Sequence, residues 1–141
     1  MSDPAFVYVI YIRATPEALW HALTDPDLRE KYWFGRRSAS DWKAGSRHEL
    51  RAPDGSLDFQ GVVLESDPPR WLKYSFETAS PTTTVTYLLE PVEGSVRLTV
   101  IHDDFPDNSE QRKGVSKGWP SILSALKSLL ETGEATPQVS G

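Results

Sequence analysis

The architecture of this chain follows from one segment near its C-terminus, SEQRKGVSKGWPSILSALKSLLE at residues 109–131. Its apolar side chains recur every three or four positions, and this spacing predicts one long helix with an apolar face. Asn108, followed three residues later by Gln111, predicts a capping-box start, and Gly133 predicts the end of the helix. Pro120 has no backbone N–H and is predicted to bend the helix near Lys117 to Trp119.

Most of the preceding chain has the pattern of an antiparallel sheet. Turn signals rich in Gly, Pro and Asp separate short runs of β-branched and aromatic residues. In the last run, Val96, Leu98 and Val100 alternate with more polar neighbours, so one face of the sheet is predicted to be apolar and the other polar. The predicted strands span residues 37–43, 47–52, 58–65, 71–78, 83–90 and 95–103.

One earlier strand and two short helices are predicted before this sheet. FVYVIYI at residues 6–12 is rich in β-branched and aromatic residues and predicts the first strand. Thr15-Pro16-Glu17 combines a capping residue, a proline and an acidic residue in the order that starts a helix. Asp25-Pro26-Asp27 repeats this signal and predicts a second helix that ends near Gly35. Because an apolar sheet face needs an apolar partner, we expect the long helix to pack across the sheet in an α+β fold.

Composition limits the classes of function that the chain can have. The length of 141 residues favours a single domain over residues 1–141, and the absence of cysteine excludes disulfides and thiolate metal ligands. A net charge of −5 gives no electrostatic reason to bind nucleic acid. No apolar run is long enough to cross a membrane and no signal-peptide pattern opens the chain, so a cytoplasmic protein is predicted. Order is expected over about residues 5–132, with a flexible tail at 133–141.

Short motifs along the chain carry a family resemblance. They are IRATPEALWHALTD at 12–25, YWFG at 32–35, PDG at 53–55, GVVLE at 61–65, DPPRWL at 67–72, LTVIH at 98–102 and GWP at 118–120. Together they resemble the activator-of-heat-shock-protein-90-ATPase homologue family of the START-like (SRPBCC) superfamily. The resemblance implies a helix-grip fold, in which a curved antiparallel sheet of about seven strands wraps around a long C-terminal helix.

The same resemblance implies a ligand cavity between the sheet and the long helix. The sequence is rich in aromatic residues, with five each of Trp, Tyr and Phe, and such rings can line a cavity or simply fill a core. The register of the predicted strands and helix nominates the cavity-lining residues Trp33, Phe34, His48, Leu50, Phe59, Leu72, Tyr74, Phe76, Leu98, Val100, His102, Trp119, Leu123 and Leu126.

Side chains that could perform chemistry are few. His48 and His102 are predicted to face inward, and with Asp103 or Asp104 they could bind a metal or move protons. His21 is predicted at the surface. No catalytic residue, metal ligand or cofactor is assigned. The basic residues Arg36, Arg37, Lys43, Arg47 and Arg51 are predicted to form a solvated, salt-bridged face, with an entrance for an acidic ligand as the alternative.

The leading hypothesis is therefore non-catalytic binding of a small hydrophobic molecule, either lipid-like or aromatic and polyketide-like. Two alternatives remain open at this stage. One is a chaperone-associated protein of the stress response that stimulates a heat-shock-protein-90 type ATPase, as the family name implies. The other is a cyclase-like or hydrolase-like enzyme that uses the same cavity. A monomer or a homodimer is expected, without nucleic acid and without insertion into a membrane.

Overall fold

A seven-stranded antiparallel sheet and one long helix form the body of the protein, in a computed structural model that describes residues 2–138. The strand order is β1-β7-β6-β5-β4-β3-β2, so β1 and β2 are the two edges. The elements are β1 (Phe6–Ile12), α1 (Pro16–Thr24), α2 (Pro26–Tyr32), β2 (Arg37–Ala39), β3 (Arg47–Arg51), β4 (Leu57–Asp67), β5 (Trp71–Phe76), β6 (Thr83–Val92), β7 (Ser95–Asp103) and α3 (Glu110–Thr132). The predicted helix-grip fold is confirmed.

The two faces of the sheet differ as the sequence alternation predicts. Val96, Leu98 and Val100 of β7 are fully buried on the face that α3 covers. The opposite face of the edge strand β1 presents Val7 and Tyr11, each about half exposed to solvent. The core therefore lies between one face of the sheet and α3, because only that face has an apolar partner.

The short helices begin at the predicted caps, but α3 begins differently. The Thr15 and Asp25 side chains accept hydrogen bonds from the backbone N–H groups of Ala18 and Leu28. At α3 the capping residue is Ser109, whose Oγ accepts from the N–H of Arg112 at 3.1 Å, so the predicted Asn108 cap is wrong. Asn108 has a left-handed φ of 54° and lies in the preceding turn, where its own N–H donates to the carboxylate of Asp3.

Strand β2 ends four residues earlier than predicted, at Ala39 instead of residue 43. The Oγ of Ser40 accepts a hydrogen bond from the N–H of Trp42, and the carboxylate of Asp41 accepts one from the N–H of Lys43. These local side-chain bonds compete with strand pairing and turn the chain. The turn places Trp42 at a φ of 59° and buries its ring against the core.

Helix α3 runs without interruption through Pro120 to Thr132. Gly133 ends it in the left-handed conformation, with a φ of 89° and its N–H bonded to the carbonyl of Leu129. In the segment that follows, the side chain of Gln138 accepts a hydrogen bond from the N–H of Phe34 at 2.7 Å. The remainder of the predicted tail, residues 139–141, lies outside the described residues. No helix in the described part of the chain is long and apolar enough to cross a membrane.

Candidate functional site

A cavity of about 170 Å³ opens between the N-terminal half of α3 and the facing ends of β4 and β5. Aromatic rings form most of the sheet side: Phe59 from β4 and Phe76 from β5 lie with ring centroids 4.1 Å apart. Trp33, just after α2, packs against Phe59 at 6.0 Å and edge-on against Trp119 of α3 at 5.3 Å. Asp58 and Thr78 supply the polar groups on this side.

The helix side of the cavity is defined by missing side chains. Gly114 and Gly118 lie one helical turn apart, and a Cβ added at either position would meet no atom within 4 Å. Val115 and Ile122 line the same wall. The space therefore exists because two consecutive turns of α3 each have a glycine, with no side chain, at a position that faces it.

The size of the cavity limits what it can hold as it stands. An apolar cavity of roughly 150 Å³ accepts benzene, whereas sites for drug-sized molecules span about 300–1,000 Å³. The observed volume of about 170 Å³ therefore matches one aromatic ring or a short alkyl chain. A polyketide or a complete lipid would fit only if the aromatic walls moved apart.

His102 lies behind the cavity and fixes the orientation of one of its walls. The indole N–H of Trp119 donates to Nδ1 of His102 at 3.1 Å, so Nδ1 carries no proton. Nε2 therefore carries the proton and donates to the hydroxyl of Thr83 at 2.8 Å. Burial lowers the pKa of His102 to about 4, which keeps the ring neutral at pH 7. His102 thus positions Trp119 instead of facing the cavity.

His48 has a comparable structural role between β3 and β5. Its Nε2–H donates to the carbonyl of Ser75 at 2.8 Å, and its ring stacks on Trp42. Burial, opposed by this hydrogen bond, lowers the pKa of His48 to about 4. The close approach requires Gly61 on the intervening strand, because a Cβ there would lie 2.0 Å from the Ser75 carbonyl oxygen and 2.7 Å from Nε2.

Metal binding by the histidines finds no support in this geometry. In residues 2–138, no group of three or more His, Asp or Glu side chains is placed to hold a metal ion. Asp104 accepts a hydrogen bond from Thr84 instead. His21 is exposed on α1, as predicted.

The structure divides the residues nominated from sequence into three groups. Trp33, Phe59, Phe76 and Trp119 line the cavity, whereas Phe34 lies half-buried beside Gln138. The remaining nominated residues are buried away from this opening: His48, Leu50, Leu72, Tyr74, Leu98, Val100, His102, Leu123 and Leu126. Ligand contact by any of them remains a prediction.

The four arginines of the predicted basic face form salt bridges, whereas Lys43 forms none within residues 2–138. Each arginine of the set lies near a carboxylate, and the Arg36 pair stands at the cavity, where Asp58 is one of the lining residues. The pairs are Arg36–Asp58 at 2.9 Å, Arg37–Asp27 at 2.7 Å, Arg47–Glu77 at 3.7 Å and Arg51–Glu49 at 3.0 Å. These charges are therefore largely balanced.

The sequence analysis missed a buried cation, Arg29 of α2. Only 1% of Arg29 is exposed, and its guanidinium lies 4.4 Å from the ring centroid of Trp33 and 5.4 Å from that of Trp42. Its Nη1–H donates to the carbonyl of Leu23, near the end of α1. The sequence did contain a signal for its burial: Arg29 lies three residues before Tyr32. On a short helix this spacing places both side chains on the same, inward face.

Three buried tyrosines surround this cation. The hydroxyls of Tyr74 and Tyr87 share a hydrogen bond of 2.8 Å, and Tyr32 donates to the carbonyl of Ala22 at 2.7 Å. Burial raises the pKa of all three phenols, and the positive charge of Arg29 opposes that rise. All three are therefore neutral at pH 7, so they do not balance the charge of Arg29.

This architecture, a seven-stranded antiparallel sheet around a long C-terminal helix with a cavity between them, defines a START-like helix-grip protein. A family model described as Activator of Hsp90 ATPase homolog 1-like protein matches residues 13–131, and the chain belongs to that family. A search of curated proteins found no significant match.

Solved structures of bacterial proteins share the fold. A Mesorhizobium loti protein is 28% identical, with 90% of this chain and 96% of that chain covered and a TM-score of 0.81. The Aha1 dimer from Colwellia psychrerythraea is 22% identical, with 93% and 98% covered and a TM-score of 0.80. A Cytophaga hutchinsonii protein is 25% identical, with 94% and 97% covered and a TM-score of 0.76.

Proposed function

We propose that this protein binds a small hydrophobic molecule in the cavity between α3 and the sheet, without transforming it chemically. The observation that carries the proposal is the cavity wall itself: aromatic rings on the sheet side face bare helix backbone at Gly114 and Gly118. An apolar opening with few polar groups suits a ligand of the same character.

The positions of the histidines support binding over catalysis. A general base must reach the proton that it removes, either directly or through one water. His48 and His102 do not line the cavity, and the N–H of each ring is bonded to a protein oxygen. The polar lining residue Asp58 pairs with Arg36. A cyclase-like or hydrolase-like reaction would therefore need a group that these contacts do not supply.

The ligand we favour has a single aromatic ring or a short alkyl chain at its buried end. This follows from the cavity volume of about 170 Å³, which is close to the roughly 150 Å³ that accommodates benzene. Lipid-like and polyketide-like ligands remain part of the proposal as larger molecules that would insert one ring or one chain end.

The direct test fills the cavity from the helix side. Gly118→Leu places a side chain into the open space, so it should abolish binding of indole and ethylbenzene. In the unaltered protein, either probe at tenfold excess over its Kd should stabilise the fold by about 1.4 kcal/mol and raise Tm by about 4 °C. Thermal unfolding and calorimetric titration measure both effects.

Ser124→Leu is the matched control, because it adds the same side chain to the same helix at an exposed position. It should retain the full Tm shift. The proposal fails if neither probe shifts Tm or produces heat of binding, or if Gly118→Leu binds as well as the control.

A chaperone partner is the second candidate, and the family description is the observation that favours it. Val7, Val9 and Tyr11 on the outer face of β1 are each about half exposed and offer a surface for a partner or for a second copy in a homodimer. A pull-down and an ATPase assay with a heat-shock-protein-90 chaperone test the chaperone partner, and light scattering tests the homodimer.

The lack of cysteine is consistent with the cytoplasmic location that we propose.

A further inference from the structure

Arg29 is a buried cation without a counter-ion in residues 2–138. No carboxylate in this part of the chain forms a salt bridge with its guanidinium, and its buried Nε has no hydrogen-bond acceptor. The surrounding phenols of Tyr32, Tyr74 and Tyr87 are neutral, as described above. A charge in this setting is costly, because taking an ion out of water is strongly unfavourable unless a partner compensates for the lost hydration.

The contacts that Arg29 does make, which include a hydrogen bond with the hydroxyl of Tyr74, offset only part of this cost. The rings of Trp33 and Trp42 close to the guanidinium contribute cation–π attraction. The bond to the Leu23 carbonyl places the charge near the C-terminal end of α1, which favours a cation modestly. A neutral long side chain could pack between the same rings without any desolvation cost. The remaining imbalance points to a negative charge that arrives from outside the chain.

Trp33 connects this cation to the ligand cavity. The same indole that lines the cavity stacks on the guanidinium, so a single aromatic ring belongs to both environments. Trp33 caps the end of α2 and is followed by Phe34 and Gly35, both at positive φ, so it lies outside any regular element. Arg29 does not itself line the cavity, so a ligand reaches it from there only when this ring is displaced.

Building on the proposed binding function, we infer that the ligand is an acid: an aromatic or short aliphatic carboxylate, with its apolar body in the cavity and its carboxylate on the guanidinium of Arg29. A planar carboxylate matches the fork of donors on an arginine and would supply the missing acceptor for Nε. The net charge of −5 repels anions in general, so selectivity for an acid must arise at a specific cation.

The experiment compares two ligands of the same shape with the unaltered protein. 3-Phenylpropanoate carries the carboxylate, and 3-phenylpropanamide replaces it with a neutral amide. Because hydrogen bonds to a charged group are worth about 1.5–3 kcal/mol, the acid should bind at least about tenfold more tightly in calorimetric titration at pH 7. In nitrogen-15 NMR spectra, the Nε–H signal of Arg29 should move with the acid and stay in place with the amide.

Arg29→Met tests the residue itself. The variant retains a long apolar side chain between Trp33 and Trp42, and it should bind both compounds equally, with the affinity that the amide has for the unaltered protein. Arg47→Met, which removes an exposed arginine that pairs with Glu77, is the control and should preserve the preference for the acid. If Arg29→Met does not fold, Arg29→Lys is the alternative, because it keeps the positive charge but lacks the planar, two-pronged donor geometry of the guanidinium. It should reduce the preference for the acid over the amide without abolishing it.

The outcomes separate the two proposals. Equal binding of acid and amide by the unaltered protein overturns the assignment of Arg29 and leaves the binding function in place. Failure of both compounds and of the neutral probes overturns the binding function, and the acid assignment with it. A preference for the acid that survives in Arg29→Met also overturns the assignment, because the charge would then be recognised elsewhere.

Discussion

The two halves of α3 lie over the same sheet but relate to it in different ways. From Trp119 onward the helix buries its inward face, with Trp119, Ile122, Leu123, Ala125, Leu126 and Leu129 all buried. From Glu110 to Gly118 every residue is at least partly exposed, although the amide atoms of Gln111 are buried, and the inward positions include two glycines. One half closes the core and the other leaves it open.

This comparison shows where the cavity comes from. Sheet curvature alone does not create it, since the same sheet is tightly covered along the C-terminal half of α3. The opening occurs where the helix changes from large apolar residues to Gly114 and Gly118. His102 marks the boundary, because it holds Trp119 by a hydrogen bond at the inner end of the cavity.

The largest expected effect of a single substitution is in the packed half. Leu126 is fully buried, so Leu126→Ala should lower the free energy of unfolding by about 3 kcal/mol, through lost burial and the cavity left behind. Val115→Ala, at a half-buried position in the open half, should cost less than about 1 kcal/mol. Urea denaturation of both variants measures the difference, and similar losses in the two variants would refute the distinction between the halves.

The second effect is a dependence of stability on pH. The pKa of His48 and of His102 is about 4 in the folded protein, below the ordinary value of 6.5, because burial disfavours the charged ring. The unfolded chain therefore binds more protons between these values, and stability falls as the pH falls through that range. Each histidine should contribute a loss of about 2 kcal/mol between pH 7.5 and pH 5.

His102→Gln sharpens this test at the boundary between the halves. The variant removes one of the two titrating groups, so its pH-dependent loss should be about half that of the unaltered protein. Unfolding midpoints across this pH range provide the measurement. A loss that is unchanged in the variant would show that His102 is not held neutral by burial.

The smallest effect is a gain of stability in the open half. Gly118→Ala places a methyl group where no atom lies within 4 Å, and alanine costs less backbone entropy in a helix. The free energy of unfolding should rise by about 0.5–1 kcal/mol, measured by denaturant titration. A destabilised variant would mean that this turn of the helix is closely packed and that the cavity is filled.

The order of elements and the inward residues of the strands could be predicted because they depend on local periodicity. Alternation placed Leu98 and Val100 in the core, and proline with a capping side chain located both short helices. The prediction failed at β2, where side-chain bonds from Ser40 and Asp41 outcompeted strand pairing. Such bonds depend on geometry that strand propensity does not encode.

The candidate site was predicted less completely than the fold. Alternation shows that a residue faces inward, but it does not show whether the space beside it is filled by a neighbour. Trp33 and Phe76 line the cavity while Leu72, equally inward, is enclosed by the core, and this difference depends on which turn of α3 lies opposite. Arg29 was missed because α2 has only seven residues, and so short a run of apolar and polar residues does not show clearly which face of the helix points inward.

The amino-acid sequence was sufficient to predict the order of helices and strands, because turn chemistry, capping and hydrophobic period act over a few residues. The resemblance of its motifs to a known family implied the helix-grip fold. Only the folded chain determined that the opening lies beneath Gly118 and that an uncompensated cation, Arg29, stands behind its Trp33 wall. Those properties arise between segments distant in sequence, since a cavity and a missing counter-ion are defined by what neighbouring elements fail to supply.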